Sequence, residues 1–208
     1  MDNGKDGLVY SGPVIEFVAV ANEVCIFMEQ AGGFPKKDFV DKTRKILPLL
    51  YYKAGLLPVT EPFYQEGTEK FVSEEDWQII HDNVLGRMGS HNDYAEILDP
   101  VYRDTEDNVG GSIAEDMADI YQDLKDFLLI YRMGTVELMN DAIWECVQHF
   151  EQYWGQKLLN SLRYLHSLNF GNEDLSDEDQ EREGKEEMDD TGDWIISQRQ
   201  KLWNEDED

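Results

Sequence analysis

The stretch Ser112–Gly134, SIAEDMADIYQDLKDFLLIYRMG, carries a helix start, a helix stop and two contrasting surfaces. Ser112 and Glu115 have the spacing of a capping box, in which each side chain satisfies an amide that the first turn leaves unpaired. Gly134 is a natural stop. Between them Ile113, Met117, Ile120, Leu124, Phe127, Leu128 and Tyr131 recur in steps of three and four, which places them on one face of an α-helix. Glu115, Asp116, Asp119, Asp123 and Asp126 fall on one flank, and Ala118, Lys125 and Arg132 on the other.

Like charges one turn apart cost roughly 0.2–0.5 kcal/mol per pair. An acidic stripe of this kind must therefore lie in solvent, face basic groups or neutralise a cation. A solvated flank is the ordinary expectation for a charge run on a helix, and it requires no cofactor. Under the alternative, Glu115, Asp116, Asp119 and Asp123 have the spacing to share a hard divalent ion such as Mg²⁺ or Mn²⁺.

The remainder of residues 1–170 also reads as helix. A first helix over 12–31 opens at Pro13, repeats apolar residues from Val14 to Met28 and stops at Gly32–Gly33. A second covers 37–56, with Pro48 predicting a kink or a break. A Pro- and Gly-spaced loop follows, and a third helix over 73–88 opens with Ser73 and Asp76 as a capping pair. HNDYAEILDPVY, residues 91–102, reads as a short helix or turn before a polar loop. The stripe helix spans 112–133. The last and longest helix spans 135–168, and its apolar positions shift after Gly155, which predicts a bend or a change of packing partner there. No run alternates at period two for long enough to predict a strand. The expected fold is all-α, a single bundle of five to six helices ending in a long C-terminal helix.

On that long helix Met139, Ile143, Val147, Phe150 and Trp154 form the apolar arc, and Glu145, His149, Gln152, Gln156 and Arg163 edge it. Were the stripe a metal site, Glu145 or His149 would be the candidate base or orienting group. The ordinary expectation for His149 is a hydrogen bond to a neighbour.

The chain of 208 residues has a formal charge of −27. Residues 1–170 hold 29 acids and 14 bases, so this body is acidic in its own right. That balance argues against direct contact with nucleic acid or anionic lipid and suits a basic or amphipathic protein partner. The oligomeric state is left open. Residues 14–28, the longest apolar-rich run, are interrupted by Glu16, Asn22 and Glu23, so no membrane span is expected. Cys25 and Cys146 have neither metal-site nor disulfide-framework spacing. With no leader-like N-terminus, they point to a cytoplasmic protein. No phosphate-cradling glycine loop or nucleophile elbow is present.

Residues 171–208 hold 16 acids and 4 bases, with almost no apolar residues before residue 193. Such a segment buries too little surface to offset its ordering entropy, so an acidic, disordered tail is expected. Near its end, over about 193–203, GDWIISQRQKLW contains an amphipathic segment in which Trp194, Ile195, Leu202 and Trp203 are candidate partner-binding anchors.

Four stretches, VIEFVAVANEVCIFMEQ (14–30), ILPLLYYKAGLLP (46–58), IAEDMADIYQDLKDFLLIYRMG (113–134) and MNDAIWECVQHFEQYWGQKLLNSLRYLHSL (139–168), together resemble the bacterial domain-of-unknown-function family 5063. The resemblance implies a small helical cytoplasmic protein and no particular chemistry. EDMAD (115–119) also resembles half of the Mg²⁺ site of all-α nucleotide pyrophosphohydrolases. The other half is absent, since Glu137 and Asp141 are spaced ExxxD where that family has ExxD. Two functions follow: a non-enzymatic protein-interaction or adaptor module, or a divalent-metal-dependent hydrolase of nucleotides or phosphoesters.

Overall fold

In the computed structural model, which describes residues 7–64, 67–95 and 110–176, helix α1 (Gly12–Glu29) carries Pro13 in its first turn, where a missing amide hydrogen costs nothing. Phe17 and Met28 are wholly buried on its inner face. Helix α2 (Lys36–Ala54) runs through Pro48 without the expected break. Pro48 is exposed, and Leu47 and Leu50 beside it are wholly buried. Packing on both sides of the proline thus holds the helix together across its lost amide bond. Helix α3 (Glu74–Met88) starts with the predicted capping box, Ser73 and Asp76 each bonding the other's amide.

Two strands, β1 (Asp93–Ala95) and β2 (Gly110–Ser112), pair antiparallel with Tyr94 opposite Gly111. Over residues 93–95 this corrects the expectation of a short helix or turn, the rest of which, at 96–102, lies outside the described residues. Each strand is three residues long, too short to show a period of two. The pairing depends on Gly111, because a Cβ there would stand 2.3 Å from the Tyr94 ring. The pair also builds the start of helix α4 (Ile113–Arg132). Asn92 accepts from the Ile113 amide through its carbonyl and from the Ala114 amide through its side chain, both at 3.0 Å. Ser112 Oγ accepts from the Glu115 amide. Only the serine half of the expected capping box forms. Asn92, 19 residues from Gly111 in sequence, supplies amide acceptors that a local box would otherwise have to provide.

Helix α5 (Val136–His149) continues through one π turn (Phe150–Trp154) into helix α6 (Gly155–Phe170). The expected change of partner near Gly155 is present: α5 packs on α4, whereas α6 packs mainly on α2. Helix α4 is the hub and touches α1, α3, α5 and α6. Among the described residues the architecture is an all-α bundle of six helices with one small two-stranded sheet. No helix among the described residues is long and apolar enough to cross a membrane. Cys25 and Cys146 are free and buried, and burial pushes the Cys25 thiol up to about 12. Residues 177–208, including the expected anchors Trp194, Ile195, Leu202 and Trp203, lie outside the described residues.

Candidate functional site

The carboxylates of α4 are engaged by donors from several other elements. Asp116 is only 2% exposed. It accepts from Ser161 Oγ at 2.6 Å and from the Tyr94 hydroxyl, with Lys157 Nζ 3.3 Å away. Burial pushes its carboxyl above the ordinary carboxylate value despite the opposing pull of Ser161, Tyr94 and Lys157. Asp119 accepts from Trp77 Nε1 at 2.8 Å, the Tyr153 hydroxyl at 2.5 Å and Lys157 Nζ at 2.9 Å. Burial draws the Lys157 ammonium down, but Asp119 and Asp116 outweigh it and hold the ammonium above its usual range. Burial wins at Asp116 and pairing wins at Lys157 because the lysine serves two carboxylates.

Asp123 meets His149 Nδ1 at 2.6 Å, and Glu115 is exposed. Among the described residues, no group of three or more His, Cys, Asp and Glu is placed to hold a metal ion. Glu115, Asp116, Asp119 and Asp123, the ligands of the alternative metal reading, form no such group among the described residues. The solvated-flank expectation is corrected, since Asp116 and Asp126 are both buried. The stripe meets a row of donors on the long helix: His149 for Asp123, Tyr153 for Asp119, Ser161 for Asp116, and Lys157 shared by Asp116 and Asp119.

A second set of carboxylates holds a loop. Residues 58–64 and 67–73 between α2 and α3 form a strap across α4 and α5, and their backbone amides need partners. Asp141 on α5 accepts from the Phe63 amide at 2.6 Å and the Tyr64 amide at 2.8 Å. Glu145, one turn on, accepts from the Thr68 amide at 3.1 Å, from the Thr68 hydroxyl and from Lys70 Nζ at 2.5 Å. Asp126 on α4 accepts from the amides of Phe71 and Val72. Asn140 Nδ2 donates to the Glu61 carbonyl at 2.8 Å. Ionised acceptors make such bonds roughly twice as strong as neutral ones, so the strap is fastened at three points without secondary structure of its own.

His149, the candidate base, lies between the two sets. Its Nδ1 addresses Asp123, and its Nε2 lies 3.8 Å from Glu145 Oε1. The Asp123 hydrogen bond raises its pKa against the opposing effect of burial. Through Nδ1 His149 ties α5 to α4, while its Nε2 faces Glu145 beyond hydrogen-bond distance. Burial pushes Glu145 up, and Lys70 and Thr68 outweigh it and hold the carboxyl below its usual range. The two candidate catalytic residues are thus occupied in fastening.

Beneath the strap opens a cavity of about 570 Å³, bordered by Phe63, Tyr64 and Phe71 from the strap and by Ile130, Leu138 and Asp141 from the helices. Sites that enclose small ligands or peptide side chains span ~300–1,000 Å³ and are mostly apolar with a few polar groups. This cavity has that character, with Thr68, Glu69 and Asp141 as its polar groups.

Residues 9–171 match the family described as a domain of unknown function, DUF5063. The chain belongs to this family. Its fold also matches the crystal structure of protein BF1032 from Bacteroides fragilis, a structural-genomics target, with 38% identity, a TM-score of 0.71, and coverage of 80% of this chain and 98% of that one. No curated protein matches. In this DUF5063 domain the sequence pattern left unnoticed the side chains that partner the acids: Trp77, Tyr94, Tyr153, Lys157 and Ser161. One signal could have revealed most of them. Asp141, Glu145, His149, Tyr153, Lys157 and Ser161 recur at every fourth residue. On an unbroken α-helix such a row drifts by about 40° per step. The wider π turn at Phe150–Trp154 takes back part of that drift and keeps Tyr153 and Lys157 on Asp119.

Proposed function

We propose that this domain is a non-enzymatic protein-interaction module of the cytoplasm, recognising a basic or amphipathic partner through the cavity beneath the strap. The observation that carries the reading is the contrast between the two kinds of polar group. The candidate catalytic and metal-ligating side chains, apart from the exposed Glu115, are engaged by internal donors. The aromatic cavity beside them holds open, accessible surface. Exposed aromatic and aliphatic side chains at its mouth, Phe63, Tyr64 and Met133, favour recognition, since such surface on a soluble domain marks binding sites. A chain of charge −27 attracts basic segments over long range. Two free, buried thiols suit a reducing compartment.

The test is fluorescence anisotropy of a labelled synthetic amphipathic helix of lysine and leucine, titrated with the full chain. Saturable binding that is lost when Leu138→Trp fills the cavity supports the reading. Binding that Leu138→Trp leaves unchanged refutes it, as does no binding at all. In parallel, calorimetric titration with Mg²⁺ and Mn²⁺ addresses the hydrolase alternative, which requires tight uptake of one of these ions.

A further inference from the structure

The uncompensated charge of Asp141 distinguishes the cavity from the rest of the domain. Asp141 is buried and borders the cavity. Its carboxylate accepts from the Phe63 and Tyr64 amides and from Asn140 Nδ2, all neutral donors. Among the described residues no lysine, arginine or histidine lies within ion-pair distance of it, whereas Asp116, Asp119, Asp123 and Glu145 each have such a partner. Asp126, also held by amides alone, does not border the cavity. An ionised carboxylate offers about four acceptor sites, and three hydrogen bonds leave one open at Asp141.

The surroundings carry the same sign. Glu69 borders the cavity and is exposed. Glu137 is exposed one turn before Asp141, on the same side of α5. Lys70 of the strap is committed to Glu145, and Arg132 at the end of α4 to Asn22 on α1. The aromatic surface of Phe63, Tyr64 and Phe71 suits the alkyl stem and the charged head of a basic side chain, through stem burial and cation–π attraction. A cavity of about 570 Å³ is more than one side chain fills.

We propose that the cavity reads one lysine or arginine of a partner protein against Asp141, with a neighbouring bulky apolar residue of the same segment filling the remaining space beside Ile130 and Leu138. This rests on the partner-recognition reading above and specifies its chemistry. The partner segment presents the two residues on one face, one helical turn apart.

The experiment is calorimetry of the full chain at physiological ionic strength with two synthetic helices of equal length, one of lysine and leucine and one of glutamine and leucine. The lysine peptide is expected to bind at least about tenfold more tightly, and Asp141→Asn is expected to abolish that preference. The double change Glu69→Gln with Glu137→Gln, at exposed positions the fold does not depend on, is expected to weaken it. Glu115→Gln, outside the cavity, leaves it unchanged. If both peptides bind equally and Leu138→Trp blocks both, this proposal is overturned while the partner-recognition reading stands. If the lysine peptide wins but neither Asp141→Asn nor the double glutamate change alters its lead, the preference comes from the general acidity of the surface and the proposal is likewise overturned. If neither peptide binds, both readings fall.

Discussion

Nδ1 of His149 lies 2.6 Å from Oδ1 of Asp123, tying α5 to α4 beside the strap. The groups facing this imidazole are Asp123 from α4, Glu145 from α5 and Lys70 from the strap. Because Asp123 raises the His149 pKa in the folded chain, the stabilisation is fully present below the unfolded histidine value and is lost as pH rises through the folded one. The melting-temperature difference between wild type and His149→Gln should therefore be largest in mild acid and shrink as pH rises through and above neutrality. A difference that is flat, or that grows with pH, contradicts this tie.

The fastening role of the stripe separates two neighbours. Asp116→Ala removes the acceptor shared by Tyr94 and Ser161 in a buried setting, while Lys157 keeps Asp119, and should cost about 1–3 kcal/mol. Glu115→Ala, at an exposed position, should stay within about 0.5 kcal/mol of wild type. Urea unfolding of both variants checks this, and equal effects would return the stripe to a solvated flank.

Asp126→Ala removes the acceptor of the Phe71 and Val72 amides. Leaving these two donors without a partner should cost about 1–3 kcal/mol. Hydrogen exchange at the two amides should accelerate more than exchange at Phe63 and Tyr64, which Asp141 holds independently. Uniform acceleration would mean that the strap opens as one piece.

Gly155 follows the π turn, and a Cβ there would stand 2.4 Å from the Phe150 carbonyl oxygen. Gly155→Ala is normally favourable inside a helix by roughly 0.5–1 kcal/mol. Here it should destabilise, because the obstructing atom is backbone. Thermal melts decide it, and a stabilised variant would show that the π turn relaxes to α-helix freely.

The helices were legible because their signals are local. Ser73 with Asp76, Pro13 and Gly134 mark helix ends within a few residues, and the apolar spacing of Val14–Met28 and Ile113–Tyr131 indicates which side is buried. The strands were not legible, because Tyr94 and Gly111 are 17 positions apart and their pairing is visible only in three dimensions. The candidate site was half legible. The polar edge Glu145, His149, Gln152, Gln156 and Arg163 of the long helix was visible in its spacing, and one of its members, His149, meets the acidic stripe at Asp123. The hydrogen bond expected of His149 is present, whereas donors such as Trp77, Lys157 and the strap amides were not legible because they come from other elements. The row at every fourth residue was hidden because a wheel of constant pitch has no place for a π turn.

The most direct test of the cavity as a recognition site is a backbone amide chemical-shift map of the full chain on titration with the lysine–leucine helix. The account predicts the largest changes at Phe63, Tyr64 and Thr68–Phe71 and around Ile130–Leu138, with little change at Glu115–Asp123. Changes spread over the acidic surface with the cavity unperturbed, or Mn²⁺ broadening centred on Glu115–Asp123 in its place, would contradict it.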